Sequence, residues 1–381
     1  MPSSKPLRGY CVVEVGNSVA GPYAGLILAE LGADVIKVES PNGGDFARTW
    51  GPPFWEGDAP HFVALNRGKR SLTVELGVAA QRDALEQLIV RDADAVIFNL
   101  RPGMAAERGL GAEKLLAQKP QLVYCDIGAF GRGGPLEHKP GYDPLMQAYG
   151  GLMSITGEDE TRPPIRVPVA MTDMGAGLWA AIGILASLIE RGKTGRGGVV
   201  ETSLFETALA YETIQIASVM ISPRQLKPQG SGALGIVPYQ AFRASDGWIV
   251  IGGGNDGLFA KLVNALERPE LRTDERFATN GDRVKNRGAL IPLLEAEVAK
   301  QTVGELRALL DRAGVPNAPV QRIDQVIDDP QARALGIIQE GPEGALPTLG
   351  LPLRFDGVRP EYERAAPKLG EHGSDPLNVG K

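Results

Sequence analysis

The segment VPVAMTDMGAGLWAAIGILASL, at 167–188, carries the side chain best suited to chemistry. Asp173 sits where a polar loop turns into a long apolar helix, and Gly175 and Gly177 follow it closely. A carboxylate at a helix N-terminus meets free N–H groups and the positive end of the helix dipole, which favour its ionised form. Two readings share that placement: Asp173 caps the helix, or it is a carboxylate nucleophile that attacks an activated acyl group. Glycine inside a helix costs about 1 kcal/mol relative to alanine. Two of them in the first turn point to a close approach, and they would leave room beside the carboxylate for a bulky acyl group.

Other chemistries find less support. Three histidines (His61, His138 and His372) and two distant cysteines have none of the usual ligand spacings, so no metal site is expected. No G-x-S-x-G marks a serine nucleophile. The first turn, VGNSVAGPYAG, is not a G-x-G-x-x-G fingerprint, and GKTG at 192–195 follows a helix rather than a strand. That first turn fits both a plain strand-to-helix connection and an anion site built from helix N–H groups.

The elements that must position these residues alternate between strand and helix. Apolar, β-branched runs predict strands over 11–16, 34–39, 71–75, 93–99, 122–127 and 199–203. Between them, helices are expected over 21–31, 79–91 and 111–118, then 142–155, 173–191 and 204–219. Such alternation implies βαβ units and a mostly parallel sheet. Residues 221–235, rich in Pro, Gly, Gln and Lys, read as a linker or mobile loop. Strands near 240–243 and 248–252 then lead into a helical region over 257–312.

A chain of 381 residues exceeds what one core usually supports and favours two domains or one large one. A net charge of −6 and a pI near 5.4 argue against the basic footprint of a nucleic-acid binder, though not against a phosphorylated small ligand. Cys11 and Cys125 lie in apolar strand-like runs and read as buried, reduced thiols, hence a cytoplasmic protein. The start MPSSKPLRGY lacks the apolar region of a signal peptide. The longest uncharged stretch, 174–189, falls short of the ~20 residues of a membrane span and reads as a buried core helix. Neither a membrane nor a nucleic acid is expected as partner.

Eight segments in order resemble the class III CoA-transferases (the CaiB/BaiF family, of formyl-CoA transferase and carnitine CoA-transferase type). They are AGPYAGLILAELGADVIKVE at 20–39, GGDFAR at 43–48, LNRGKRSLTVEL at 65–76 and NLRPGMAAERGL at 99–110. GYDPLMQAYGGLMSITG at 141–157, DMGAG at 173–177, GKTGRGG at 192–198 and PKLGEH at 367–372 complete the set. The resemblance implies an α/β fold: a Rossmann-like large domain from both chain ends (1–220 and 325–381), with a linker and smaller α/β domain at 221–324. It also implies an interlocked homodimer, and no permanently bound cofactor, with a coenzyme A thioester as substrate.

By the same resemblance Asp173 is the catalytic nucleophile, carrying first an acyl anhydride and then a CoA thioester. The CoA site would run along Asn17, Ser18 and Ala20, with Lys69, Arg70, Asn99 and Leu100 near the nucleotide. Arg101 and Arg108 are candidates for phosphate contacts, Met104 belongs to the same loop, and Tyr142 would flank the pantetheine arm. Ser40 stands where formyl-CoA transferases place a basic residue, so Lys37 is the candidate substitute. A glycine-rich lid would involve Gly230 and Gly232, or the glycines at 252–254. Arg48 and Arg166 precede apolar segments, and a guanidinium there would clamp a second carboxylate. Succinyl-CoA as donor and a C4–C5 dicarboxylate as acceptor are therefore expected, with a monocarboxylate acceptor as the alternative.

Two rivals share parts of the pattern. An α-methylacyl-CoA racemase would place a histidine base at Tyr142, and a phenol with pKa near 10 is a poor base at neutral pH. A non-catalytic acyl-CoA binder has no use for a carboxylate beside two glycines.

Overall fold

The computed structural model describes residues 5–223 and 225–379. Two compact units divide them: 5–152, 166–223 and 330–379 form the first, and 153–165 with 225–329 form the second.

Six parallel strands make the sheet of the first unit. They are β1 (Cys11–Gly16), β2 (Asp34–Glu39), β3 (Arg70–Thr73), β4 (Ala95–Asn99), β5 (Val123–Gly128) and β6 (Gly198–Ser203). Their order is β3-β2-β1-β4-β5-β6. The chain winds outward one way from β1 to β3 and the other way from β4 to β6. The carboxyl ends of β1 and β4 therefore flank a topological switch point, the place where doubly wound sheets bind ligands. Both faces of the sheet are covered, and the strands read as near-continuous apolar runs for that reason. One face packs Val12, Ile97 and Cys125 under helices, and the other packs Val13, Val96 and Phe98 with Leu85 and Ile89.

Five helices matter to the site: α1 (Ala20–Glu30), α2 (Asp143–Tyr149), α3 (Met171–Thr194), α4 (Leu204–Tyr211) and α5 (Thr213–Ile221). The single helices expected over 142–155 and 204–219 are each two. Gly150 and Gly151 break the first, because Gly151 takes φ +105. Glu212 separates α4 from α5.

The long apolar helix runs further than expected. It is capped by Ala170 without a side-chain hydrogen bond and ends at Gly195, in the left-handed region that favours glycine. Asp173 thus lies within the first turn rather than at the cap. Its glycines serve packing rather than acyl room. A Cβ at Gly177 would sit 2.5 Å from the Ala20 carbonyl oxygen on α1, and one at Gly175 would sit 2.2 Å from the Tyr211 hydroxyl on α4.

The second unit has its own apolar core. An antiparallel sheet of β7 (Tyr239–Arg243), β8 (Trp248–Gly252) and β9 (Asn317–Pro319) packs with the helices Asp256–Ala265, Arg287–Val298 and Val303–Ala313. Residues 153–165, expected with the large domain, belong here instead. The Gly230 N–H donates to the Gly157 carbonyl at 2.8 Å, and Lys227 pairs with Glu160 at 2.7 Å.

The contact at Gly177 is backbone against helix, so neither side can give way cheaply. Gly177→Ala should cost about 1–3 kcal/mol, read as a Tm lowered by roughly 2–10 °C. Gly192→Ala, on the same helix with open space around it, should leave Tm unchanged or raise it. Equal Tm values for the two variants in a thermal melt would contradict this packing.

Candidate active site

A cavity of about 880 Å³ opens at the carboxyl ends of β1, β4 and β5. Its walls come from short segments that leave the sheet. Asn17 and Ser18 follow β1, Asn99 ends β4 with Leu100 and Arg101 after it, and Ile127 and Gly128 end β5 with Ala129 after them. Met104, Tyr142, Asp143, Arg166 and Asp173 complete the side that bears charge. Phe46, Trp50 and His61 supply an aromatic wall, with the Trp50 and His61 rings edge-to-face at 5.4 Å.

Asp173 is a partly buried carboxylate whose pKa is pushed up to about 7. Burial is the larger cause, and the charge of Asp143 adds to it, while a backbone hydrogen bond from Asp143 opposes both. The helix terminus alone was expected to keep this group ionised; desolvation outweighs it.

Asp143 is itself fixed. One of its oxygens accepts the Thr172 N–H at 2.9 Å and the Thr172 hydroxyl at 2.7 Å. The other accepts the Gln147 amide at 2.7 Å. Gln147, fully buried, also donates to the Val167 carbonyl and accepts the Val167 N–H at 2.9 Å. The start of α2 is thereby stapled to the segment that leads into Asp173.

Of the residues singled out in the sequence, Asn17, Ser18, Asn99, Leu100, Arg101, Met104, Tyr142, Arg166 and Asp173 meet at this cavity. Asn99 is already engaged, accepting from the Gly21 N–H and donating to the Ile127 carbonyl. Arg101 forms a two-pronged pair with Glu107 at the surface. Tyr142 is exposed, and among the described residues Arg166 reaches only a nearby carbonyl, that of Pro168 at 3.4 Å. Both side chains are open to a ligand.

The remaining candidates are placed elsewhere. Lys37 is fully buried, 2.9 Å from both Glu14 and Asp45, and Lys69 is fully buried 2.7 Å from Glu14. Burial alone would push the Lys37 ammonium down, but Glu14, Asp45 and Glu39 hold it above its usual range. Neither lysine can reach a phosphate. Arg48 is consumed by Glu39 at 2.8 Å and Asp58 at 3.0 Å, so it cannot clamp a second carboxylate. Arg70 pairs with Asp34 and faces a separate polar cavity. Ala20 is buried against α3, Arg108 is not among the lining residues, and Gly230 and Gly232 belong to the second unit.

Sequence reasoning missed the aromatic wall and Asp143. The latter follows Tyr142 directly, and the residue types of Gly141-Tyr142-Asp143 drew attention to the tyrosine rather than to the acid beside it.

Residues 7–373 match the family described as CoA-transferase family III. The chain is 37% identical to a succinate–glutarate CoA-transferase of Agrobacterium fabrum, over 99% of this chain and 96% of that one. It is 35% identical to the succinyl-CoA:glutarate CoA-transferase of Mus musculus, over 97% of this chain and 85% of that one. A crystal structure of a CaiB/BaiF family protein from Brucella suis superposes with a TM-score of 0.87 at 41% identity, covering 97% of this chain and 98% of that one.

An acid whose pKa is raised on folding destabilises the fold once ionised, so the penalty is absent at low pH and complete above about pH 7. Asp173→Asn removes it. The variant should be more stable than the parent by roughly 1–3 kcal/mol at pH 8, with the gap closing as pH falls towards 4. A Tm difference that does not change with pH would contradict the raised pKa.

Proposed function

Because this chain belongs to CoA-transferase family III, we propose that it moves CoA from succinyl-CoA to a C4–C5 dicarboxylate, glutarate first among them, through covalent intermediates on Asp173. The observation that carries this reading is a half-buried carboxylate, beside a fixed second carboxylate, in the cavity at the switch point of the sheet.

The chemistry needs no more than that carboxylate and a dry site. A carboxylate oxygen of Asp173 attacks the succinyl thioester, and CoA leaves as a thiolate with a mixed anhydride behind it. The thiolate attacks the aspartyl carbonyl, releasing succinate and leaving CoA on Asp173 as a thioester. The acceptor carboxylate attacks that carbonyl, expels the thiolate and forms a second anhydride. Thiolate attack on the acceptor's carbonyl then releases the new CoA ester and restores Asp173. One thioester replaces another, so the exchange is near thermoneutral without ATP.

Desolvation serves this sequence twice. It makes Asp173 a stronger nucleophile than a hydrated carboxylate, and it keeps water from the anhydrides. Asp143 opposes charge on Asp173 and so favours its acylated, neutral forms. The distal carboxylate of substrate would meet Arg166, an exposed guanidinium on the cavity wall.

The homodimer is likewise our proposal, interlocked as the family resemblance implies. Two helices support it by leaving apolar side chains uncovered in one chain. On α3 these are Leu178, Trp179, Ile182 and Ile189; on α5, Ile214, Met220 and Ile221, the last 85% exposed. α3 is also long and apolar enough to cross a membrane by length and composition. Its inner stripe packs on α1, and a second chain would cover the outer one.

Two measurements test these readings. Succinyl-CoA with a panel of dicarboxylates should give free succinate and the acceptor's CoA ester, with kcat/KM falling as pH drops through about 7. Asp173→Asn should lose at least ~1,000-fold in kcat; turnover unaffected by that change would sink the nucleophile. Light scattering should return twice the 40.5 kDa of one chain. A monomer at micromolar concentration would refute the dimer.

A further inference from the structure

Asp45 is fully buried and contributes nothing to the cavity surface, yet it joins two of the cavity's walls. Its Oδ1 accepts the Ser18 N–H at 2.8 Å and the Ala47 N–H at 2.9 Å. Ser18 lines the cavity at φ +71, a left-handed conformation that serine rarely adopts. Ala47 lies in the short 3-10 helix Phe46–Thr49, and both Phe46 and Trp50 line the cavity. One carboxylate oxygen thus ties the turn after β1 to the aromatic wall.

The other oxygen explains how a charge persists there. Asp45 Oδ2 lies 2.9 Å from Lys37 Nζ, which also lies 2.9 Å from Glu14 and donates to the Gly16 carbonyl at 3.0 Å. Glu14 meets Lys69 at 2.7 Å. Two carboxylates and two ammonium groups, all fully buried, form a neutral cluster directly beneath the turn. Such a cluster is poor evidence for stability, but its hydrogen bonds end on the backbone of Gly16 and Ser18. That is where a rigid anchor sets ligand geometry.

We infer that Asp45 is a positioning residue for the acyl-CoA site, holding Ser18 left-handed and fixing its spacing from Phe46 and Trp50. This rests on the reading of the cavity as the acyl-CoA site. Without the acceptor, Ser18 relaxes towards negative φ and the turn shifts. Glycine at that position would keep the left-handed conformation unaided.

Asp45→Asn and Asp45→Ala in the full-length enzyme lose the same charge, but only asparagine keeps an acceptor. KM for succinyl-CoA should be roughly tenfold higher for alanine than for asparagine, with kcat within about threefold. Adding Ser18→Gly to Asp45→Ala should recover most of that KM. Identical KM values for the two variants, or no recovery with glycine, would overturn the inference. Should the variants not fold, amide exchange in unliganded wild type decides: the Ser18 N–H should exchange at least about 100-fold more slowly than a free amide, and free exchange overturns the inference. That exchange needs no substrate. A wild type inert towards succinyl-CoA would therefore count against the proposed function, while Ser18 still judges Asp45.

Discussion

The contact on which the site depends is between two helices, where Gly177 of α3 meets the Ala20 carbonyl of α1 at a distance no side chain could share. α1 starts immediately after the turn that lines the cavity, and α3 carries Asp173 one turn before Gly177. Bringing the two helices together brings the ligand-binding turn and the carboxylate together. Gly175 does the same against Tyr211 on α4. The position of Asp173 is thus set by backbone packing, the least adjustable contact in the protein.

A second constraint lies beneath the sheet's switch point. Glu14 on β1 stands opposite Lys37 on β2 in the parallel register, and both are fully buried. Their charge is carried to Asp45 and from there to the backbone at Ser18. The site therefore has two supports of different chemistry: apolar helix packing behind Asp173, and a neutralised ionic cluster behind the opposite wall. Between them Asp173 is held where water is scarce, which raises its pKa and its reactivity together.

Much of this was legible in the sequence. Alternating apolar runs and helices predicted all six parallel strands to within two residues, because buried parallel strands leave few other patterns. Asp173 stood out by its place before an apolar helix. The glycines after it stood out too, but local sequence could not say whether they faced a ligand or a neighbouring helix. That depends on α1 and α4, more than a hundred residues before and thirty after. Lys37, Lys69 and Arg48 were misplaced for a related reason. A cation near a binding loop suits a phosphate or a substrate carboxylate by charge alone, and only the fold reveals a carboxylate already beside it. Glu14 was the clue, an acid inside CVVEVG with a lysine at the matching place in DVIKVE. Charges at matching positions of adjacent buried strands pair with each other.

The central claim is that Asp173 becomes covalently loaded. The direct measurement is mass spectrometry of the protein mixed with succinyl-CoA and quenched with hydroxylamine, beside Asp173→Ala. The account predicts a hydroxamate on Asp173 in the parent protein and none in the variant. A parent protein that turns over substrate without any adduct on Asp173, or an adduct that survives the substitution, would contradict it.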